Sequence, residues 1–433
     1  MFRYYLDLAL RSFRKSRALT ALMVIALGLG IGATMTTLTI FHVLSGDPIP
    51  GKSDRLFMVG LDPRSLRGFV AEGEPLEQVT RFDAETLLRD KHGKRQVMMN
   101  GSNVAIEPEQ SSLDPFYADA RNTSGDFFAM FETPFLFGSG WSPDDDATKA
   151  RVTVISRELN DKLFAGADSI GKPVRMNGQS FRIVGVLDTW RPVPHYYDLN
   201  TGRFSKSEMV YVPFSTAREL KMSRNGSMTC WGGDNVEQDS LNASCAWLQY
   251  WVELDDAAQA GAFRDYLVAY SEEQRRAGRF ERAPNVRLRS VMQWLDFKKV
   301  VPGDVKLQVW LAFGFLLVCL VNTVGLLLAK CLRRAGEIGV RRALGASRRE
   351  IFGQFLVEAG VIGIAGGLLG LALALGLLWL VRQGPGAANE LARLDGPMLL
   401  ATLALALLAS VLAGLLPAWR ACQITPALQL KSQ

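Results

Sequence analysis

One short stretch of the chain has the glycine and lysine spacing of a phosphate-binding loop. Residues 166–173 read Gly-Ala-Asp-Ser-Ile-Gly-Lys-Pro and fit the pattern G-x-x-x-x-G-K. In a functional loop the next residue is Ser or Thr, whose hydroxyl binds Mg²⁺, and a helix follows that cradles the phosphates. Pro173 has no hydroxyl, and a strand-like segment follows it. We therefore interpret this stretch as a turn and predict no nucleotide site there.

The other residues that could do chemistry are scattered along the chain. His42, His92 and His195 lack the spacing of metal ligands, and no G-x-S-x-G, H-E-x-x-H or Cys-x-x-Cys pattern occurs. The acidic run from Asp144 to Asp146 is more typical of a solvated turn than of a cation site. The sequence therefore predicts a non-catalytic protein that itself binds no metal or cofactor.

The densest charge in the chain lies between two apolar runs. The uncharged run 307–329 leads into a basic segment, 330–351, and a second apolar run, 352–381, follows. Within the segment a single acid, Glu337, accompanies seven basic residues: Lys330, Arg333, Arg334, Arg341, Arg342, Arg348 and Arg349. Short loops this basic stay on the cytoplasmic side of a membrane. Apolar residues are interleaved with the charges, so we predict an amphipathic helix at the membrane face, able to dock on a partner.

Four apolar runs are long enough to cross a bilayer, which takes about 20 helical residues. The predicted spans are 18–44, 307–329, 352–381 and 397–416. We predict an amphipathic helix on the inner leaflet at 1–17, an outer loop at 382–396 and a cytoplasmic tail at 417–433. Both termini are then cytoplasmic, and the charged segment 45–306 lies outside.

The composition fits this mixed organisation. The 433 residues are 48% hydrophobic and 21% charged, which suits a few spans and a large soluble part. The net charge is +6, and its basic excess is concentrated at the N-terminal segment, the basic segment and the C-terminus. It marks cytoplasmic membrane faces, so no nucleic-acid partner is expected.

The segment 45–306 is large enough to form a core of its own. Its β-rich stretches predict strands at 152–155, 181–187 and 247–254. Ser156 is predicted to cap a helix from Arg157 to Phe164, and Asp255 or Asp256 to cap a helix that continues to about Ala277. The polar stretch 221–244 is interpreted as a loop. Cys230 and Cys245 bracket it and either form a disulfide, closing a loop of about 15 residues, or remain free thiols.

Three separated motifs resemble one known family. Residues 337–359, EIGVRRALGASRREIFGQFLVEA, resemble the cytoplasmic signature of the MacB/FtsX-type ABC transporter permeases. Residues 416–430, LPAWRACQITPALQL, are similar to the C-terminal pattern of that family, and residues 150–188 are similar to its extracytoplasmic domain. The resemblance covers nearly the whole chain, and the motifs fall in the order of the family.

The resemblance implies the fold class and the domain plan. It implies an α-helical membrane protein with four transmembrane helices and a large α+β extracytoplasmic domain between the first and second helices. That domain would comprise a core module, about 45–125 and 241–306, and an inserted β-rich module, about 126–240. The location implied is the bacterial cytoplasmic (inner) membrane, with the large domain in the periplasm.

The resemblance also implies a function. The chain would be a permease without an ATPase of its own, moved by a dimeric ABC ATPase subunit that binds ATP and Mg²⁺ and docks on the segment 330–351. The residues of this coupling surface would be Glu337, Gly339, Arg341, Arg342, Ala343, Gly345 and Ala346. A second permease, identical or related, is expected, together with a periplasmic adaptor and an outer-membrane duct for efflux of a periplasmic substrate.

Other uses of such a chain remain open at this point. Within the family, a lipoprotein-extracting permease and an FtsX-like regulator of cell-wall hydrolases are the alternatives to efflux. A membrane-anchored receptor with a ligand-binding outer domain is the alternative from a different class.

Glycines concentrate in two of the predicted spans. Small residues allow membrane helices to approach closely, within a subunit or between subunits. The predicted packing residues are Gly28, Gly32, Gly363, Gly366, Gly367 and Gly370. The first, second and fourth predicted spans carry no ionisable residue except His42, and Glu358 lies near the cytoplasmic end of the third. Because polar pathways through membranes use charged residues, we predict helices that transmit movement and do not conduct a hydrophilic cargo.

Overall fold

The structure is a computed structural model that describes residues 8, 12–13, 16–68, 70, 73–108, 113–232, 237–384 and 389–422, with side chains as far as Arg420. It divides into two compact units, which we call the helical unit (Met1–Ser45 with Val301–Gln433) and the sheet unit (Gly46–Val300). Most of the predicted amphipathic helix at 1–17, and the tail from residue 423, lie outside the described residues.

The secondary structure follows in chain order. The helices are α1 (Arg17–Ser45), α2 (Arg81–Asp90), α3 (Phe127–Met130), α4 (Pro143–Ala147), α5 (Arg157–Phe164), α6 (Phe214–Glu219), α7 (Ala257–Arg276), α8 (Val291–Phe297), α9 (Gly303–Arg333), α10 (Ala335–Ala343), α11 (Arg348–Gln383) and α12 (Gly396–Cys422). The strands are β1 (Leu56–Gly60), β2 (Val79–Thr80), β3 (Arg95–Glu107), β4 (Phe116–Thr123), β5 (Phe135–Gly138), β6 (Val152–Ile155), β7 (Pro173–Met176), β8 (Gln179–Leu187), β9 (Val210–Pro213), β10 (Thr229–Cys230), β11 (Cys245–Glu253) and β12 (Arg287–Ser290).

Four helices are long and apolar enough to cross a membrane: α1, α9, α11 and α12. Helix α9 begins four residues before the predicted second span and continues to Arg333, and α12 continues through Pro417 to Cys422. The segment between α9 and α11 is therefore shorter than the predicted 330–351 and consists of α10 with a turn on each side.

The sheet unit is organised around one mixed sheet with the strand order β12-β1-β11-β3-β4-β9-β6-β8-β5. The predicted core module supplies the first five strands and the predicted inserted module the last four. Along this order they meet where β4 pairs in parallel with β9, from Ala120 opposite Val210 to Thr123 opposite Pro213. Strand β7 of the inserted module also pairs with β3. The predicted module boundary is therefore not a break in the sheet.

The centre of this sheet is covered on both faces. Leu248, Tyr250 and Val252 of β11 pack with side chains of α2 and α7, whereas Trp251 packs on the other face with Phe127 and Phe131. Successive side chains of a strand point to opposite faces. All nine residues of β11 are consequently buried. The two polar ones, Gln249 and Glu253, are paired with Asp198 and Arg95.

Several local predictions are confirmed. Ser156 accepts a hydrogen bond from Leu159 N and caps α5, and Asp256 caps α7 in the same way through Gln259 N. The G-x-x-x-x-G-K stretch ends in strand β7 without a phosphate-cradling helix, so its interpretation as a turn holds. The stretch 221–244 is not entirely loop, because β10 lies within it.

The acidic run at 144–146 was predicted wrongly as a solvated turn. It forms the short helix α4, in which Ser142 and Asp145 cap the N-terminus reciprocally. Asp146 is only partly exposed and accepts hydrogen bonds from Ser215 Oγ. Burial raises the pKa of the Asp146 carboxyl above its usual value.

A buried charge cluster joins the two halves of the sheet. Arg121 of β4 is 0% exposed and donates to Asp198 Oδ2 at 2.6 Å and to Glu208 Oε1 at 3.0 Å. Tyr197 Oη donates to Glu208 Oε2 at 2.8 Å, and the buried His195 ring lies beside Glu208. Burial alone would raise the pKa of Glu208, but the Arg121 guanidinium lowers it below its usual value. Sequence reasoning treated His195 as isolated and did not find this cluster.

Candidate functional site

Within the basic segment, residues 334–347 form α10 with a turn on each side, and we call this part the hairpin. Gly345 follows α10 with φ +103°, a conformation that favours glycine. Gly345 N donates to Arg342 O, and Ala346 N donates to Arg341 O at 3.1 Å, which closes the end of α10. Ser347 then caps α11 in a reciprocal pair with Glu350. Helix α10 is thus held at a defined angle to α11 by local hydrogen bonds.

Helix α10 has a buried face and an exposed face, as its amphipathic sequence predicts. Ala335, Ile338 and Gly339 are buried, and Ile338 packs with Ile351 and Phe355 of α11. The opposite face presents apolar side chains in a basic surrounding. Val340 is 54% exposed and Leu344 is 84% exposed.

The charges on α10 form a chain along its surface. Glu337 accepts hydrogen bonds from Arg334 at 3.2 Å and from Arg341 at 2.7 Å. Arg341 donates through its other terminal nitrogen to Gln354 of α11 at 3.2 Å. The acid that sequence analysis singled out therefore orders the arginines around it.

The predicted coupling residues divide by position. Glu337, Ala343 and Gly345 are exposed, and Arg341 and Arg342 are half-buried on the same hairpin. Gly339 lies on the buried face of α10, and Ala346 packs against the cluster beneath it. These two small residues support the hairpin from inside and do not form its exposed surface. Val340 and Leu344, which were not among the predicted residues, contribute the exposed apolar part.

A charge cluster is buried where the hairpin joins the spans. Lys330 of α9, 4% exposed, donates to Glu358 of α11, 1% exposed. Ser12 Oγ donates to the same Glu358 oxygen, Oε1, at 2.8 Å, and Arg334 Nη1 donates to Ser12 Oγ at 3.0 Å. Three parts of the chain therefore meet at one carboxylate. Sequence analysis interpreted Lys330 as a membrane-face charge and missed this pair; the one signal was the lone acid in an apolar run.

The predicted packing glycines bring α11 close to helices on two sides. A Cβ at Gly366 would lie 2.8 Å from Leu27 Cβ, and one at Gly370 would lie 2.9 Å from Ile31 Cβ, both on α1. From the α1 side, a Cβ at Gly28 would contact Leu369, and one at Gly32 would contact Leu373. Toward α12, Gly363 faces Ser410 and Gly367 faces Ala406. All six glycines therefore face neighbours within the same chain.

In the sheet unit, Cys230 and Cys245 form a disulfide between the paired strands β10 and β11. Cys245 is buried, whereas Cys230 is exposed. The bond ties the polar stretch that precedes β11 to the most deeply buried strand of the sheet.

Comparison with known proteins agrees with this architecture. The sequence profile of the MacB-like periplasmic core domain matches residues 20–270, and that of the FtsX-like permease C-terminal region matches residues 309–426. The chain belongs to the MacB/FtsX family of ABC transporter permeases. Its four apolar helices and its MacB-like periplasmic core domain make this permease an inner-membrane protein with a periplasmic domain.

Curated relatives of the permease are export proteins of greater length. The macrolide export ATP-binding/permease protein MacB of Azoarcus sp. (strain BH72) is 25% identical over 440 residues, which cover 98% of this chain and 59% of that protein. The pyoverdine export ATP-binding/permease protein PvdT of Pseudomonas entomophila (strain L48) is 26% identical over 335 residues, covering 77% of this chain and 45% of that protein. The permease thus spans about half the length of these relatives.

Solved structures similar to the permease include two domains from outside the cytoplasm. The periplasmic region of MacB from Actinobacillus actinomycetemcomitans is 14% identical with a TM-score of 0.38, over 59% of this chain and 96% of that one. The extracellular domain of the transporter YknZ from Gram-positive bacteria is 14% identical with a TM-score of 0.34, over 54% of this chain and 99% of that one.

Proposed function

We propose that this permease transmits ATP-driven movement from a separate cytoplasmic ATPase to its periplasmic domain and so drives export of a periplasmic substrate. The observation that carries the proposal is the exposed face of α10. Val340 and Leu344 stand out from it, and Arg341 and Arg342 lie beside them. An exposed apolar pair with a charged rim is the composition of a protein-docking surface.

The construction of the hairpin supports a mechanical role. A docked ATPase would push on α10, and α10 is bound to α11 by the Ile338 contacts and by Arg341 to Gln354. The turn at Gly345 and the cap at Ser347 leave little local freedom to absorb a displacement. A push on α10 would therefore move the base of α11 with it.

The partners follow from this mechanism. ATP and Mg²⁺ would be bound by the ATPase, and two ATPase subunits with two permeases, identical or related, would form the working assembly. Both termini of the permease and the hairpin would be cytoplasmic, in line with the basic charge of these segments. Export is favoured because the relatives named above are export proteins, and a periplasmic adaptor and outer-membrane duct would complete the route.

The test is co-purification from native membranes into nanodiscs. The wild-type permease should bring with it a subunit that hydrolyses MgATP. Leu344→Asp places a charge in the apolar patch and should reduce the retained ATPase activity at least about tenfold, the effect of losing a binding hot spot. Glu337→Ala and Arg341→Ala should also weaken the complex, because each removes one partner of the Glu337–Arg341 hydrogen bond and so disorders the charges on α10.

Arg333→Gln is the matched control, because Arg333 is an exposed cation just before the hairpin. It should behave as wild type. A wild-type preparation without associated ATPase activity, or a Leu344→Asp variant that retains the ATPase in full, would contradict the proposal.

A further inference from the structure

The junction between α9 and α10 is a single residue. Helix α9 ends at Arg333, α10 begins at Ala335, and Arg334 between them leaves the helical conformation with φ −103° and ψ 10°. Arg334 N donates to Cys331 O at 3.1 Å, and Ile338 N donates to Arg334 O at 3.0 Å. Any change in the angle between the span and α10 must therefore pass through the backbone of Arg334.

The side chain of Arg334 lies between two acids that differ in environment. Its Nη2 is 3.2 Å from Oε1 of Glu337, which is 41% exposed and belongs to α10. Its Nη1 is 3.6 Å from Oε2 of Glu358, which is buried and belongs to α11. One guanidinium thus faces the exposed surface of α10 and the buried cytoplasmic end of α11 at the same time.

The contact with Glu358 is incomplete. Oε1 of Glu358 accepts from Lys330 and Ser12, but its Oε2 is buried and accepts no hydrogen bond from any described residue. A gap of 3.6 Å is slightly too long for a charged hydrogen bond. A buried carboxylate oxygen without a partner is costly, so a small movement of Arg334 toward it would be favourable.

We propose that Arg334 is the positioning residue that carries movement of α10 into the spans, by shifting its guanidinium between Glu337 and Glu358. When α10 and the base of α11 are displaced together toward α9, the Arg334–Glu358 bond closes and α9, α11 and the segment at Ser12 are held together. When they are displaced together away from α9, the guanidinium stays with Glu337 and the bond to Glu358 opens. The Arg334 side chain would then have two arrangements, one for each acid, and an element with two arrangements is what coupling between distant sites requires.

A static role is the alternative that the test must exclude. Lys330 neutralises Glu358 by direct contact, so the buried pair alone could serve as a fixed support. In that case the Arg334 side chain, whose exposed fraction is 21%, would be dispensable for transmission.

The inference rests on the proposed function and is tested in the same ATPase complex. Hydrogen exchange with mass spectrometry is measured with and without MgATP plus vanadate, at the ends of the spans remote from the hairpin. Those ends are 38–45 of α1 and 396–403 of α12. His42 of α1 lies 3.6 Å from Asp395, the residue that precedes α12. In wild type, nucleotide should change exchange at both ends.

Because Arg334 also contacts Glu337 on the docking surface, Arg334→Gln is compared with wild type at equal retained ATPase activity. The nucleotide-dependent change at the remote ends should then fall at least about fivefold, the lower range of measured couplings between sites. Arg334→Lys keeps the charge but loses the fork that can face two acids, and should restore only part of the change. Arg333→Gln removes an adjacent exposed charge and should leave transmission intact.

The outcomes separate the two proposals. A wild-type preparation without an ATPase refutes the proposed function. If the wild-type complex does contain an ATPase and the Arg334→Gln complex transmits as fully as the Arg333→Gln complex, the role of Arg334 is refuted. The proposed permease function then still stands.

Discussion

Replacing Gly363 by alanine should weaken the packing of α11 against α12. A Cβ at this position would lie 1.8 Å from Ser410 Cβ and 3.0 Å from Ser410 Cα. Carbon atoms in contact normally stay about 3.5–4.0 Å apart, so the two helices would have to separate locally by about 2 Å. Overpacking of this kind costs about 1–3 kcal/mol. We expect the upper end of this range, because Cα and Cβ of Ser410 can move away only if the backbone of α12 moves.

Gly360→Ala is the control in the same helix. A Cβ at Gly360 meets no described atom within 4 Å. Both substitutions gain the helix propensity of alanine, about 1 kcal/mol in water. The difference between the two variants therefore isolates the packing cost, expected to be about 3 kcal/mol. Unfolding by SDS titration in mixed micelles, followed by circular dichroism, measures this difference.

A second substitution makes the prediction stricter. Ser410→Gly removes the Cβ that would collide, so Gly363→Ala should cost much less in that background than in wild type. This strong non-additivity is the signature of direct contact. Two results would contradict this reasoning: Gly363→Ala and Gly360→Ala unfolding at the same SDS concentration, or additive effects of the changes at 363 and 410 on the free energy of unfolding. Close packing of α11 on α12 would then not be what stabilises the bundle.

Three further predictions concern the sheet unit. Arg121→Gln leaves buried carboxylates without their cation and should lower the free energy of unfolding by about 3–5 kcal/mol. Urea unfolding followed by tryptophan fluorescence measures this loss, and an unchanged urea midpoint would contradict the pairing. Replacing Cys230 and Cys245 together by serine should lower the free energy of unfolding by about 3 kcal/mol in the chain-entropy model. Reduction of the wild type with dithiothreitol should reproduce that loss. A double variant as stable as the oxidised protein would show that the disulfide does not stabilise the fold. Burial lowers the pKa of the His195 imidazole below its usual 6.5. The unfolded state therefore binds the extra proton, and the stability of the folded state should fall as the pH drops below about 6.5. If a His195→Gln variant loses stability with pH as steeply as wild type, other groups cause the loss.

The sequence predicted those elements whose signal is local. The four apolar runs, the strand at 152–155 and the cap at Ser156 each depend on neighbouring residues, and the structure has them at or near the predicted positions. The amphipathic character of α10 was equally visible, because its apolar and basic residues recur with a helical period.

The buried charge clusters were not predictable in this way because their partners are far apart in the chain. Arg121 meets Asp198 and Glu208 only after the inserted strands return to pair with β4. In the helical unit, Lys330 was indistinguishable in sequence from the neighbouring arginines that mark a cytoplasmic face. Only its position on the inward side of α9, opposite Glu358, gives it a different role.

The packing glycines and the carboxylate of Glu358, which sequence analysis treated separately, belong to the same helix, α11. Along α11, Gly363, Gly366 and Gly370 lie so close to α1 and α12 that the backbones leave little room for sliding. A displacement that enters α11 at its cytoplasmic end would therefore be carried along the helix and into its neighbours rather than dissipated. The polar cluster at Glu358 lies at that entrance, where a charged contact can be made or broken without disturbing the apolar packing. Under the proposed function, the glycine contacts would supply the stiffness that transmission needs and the charge cluster would supply the element that changes state, so loss of either should uncouple the hairpin from the far ends of the spans while leaving the other intact.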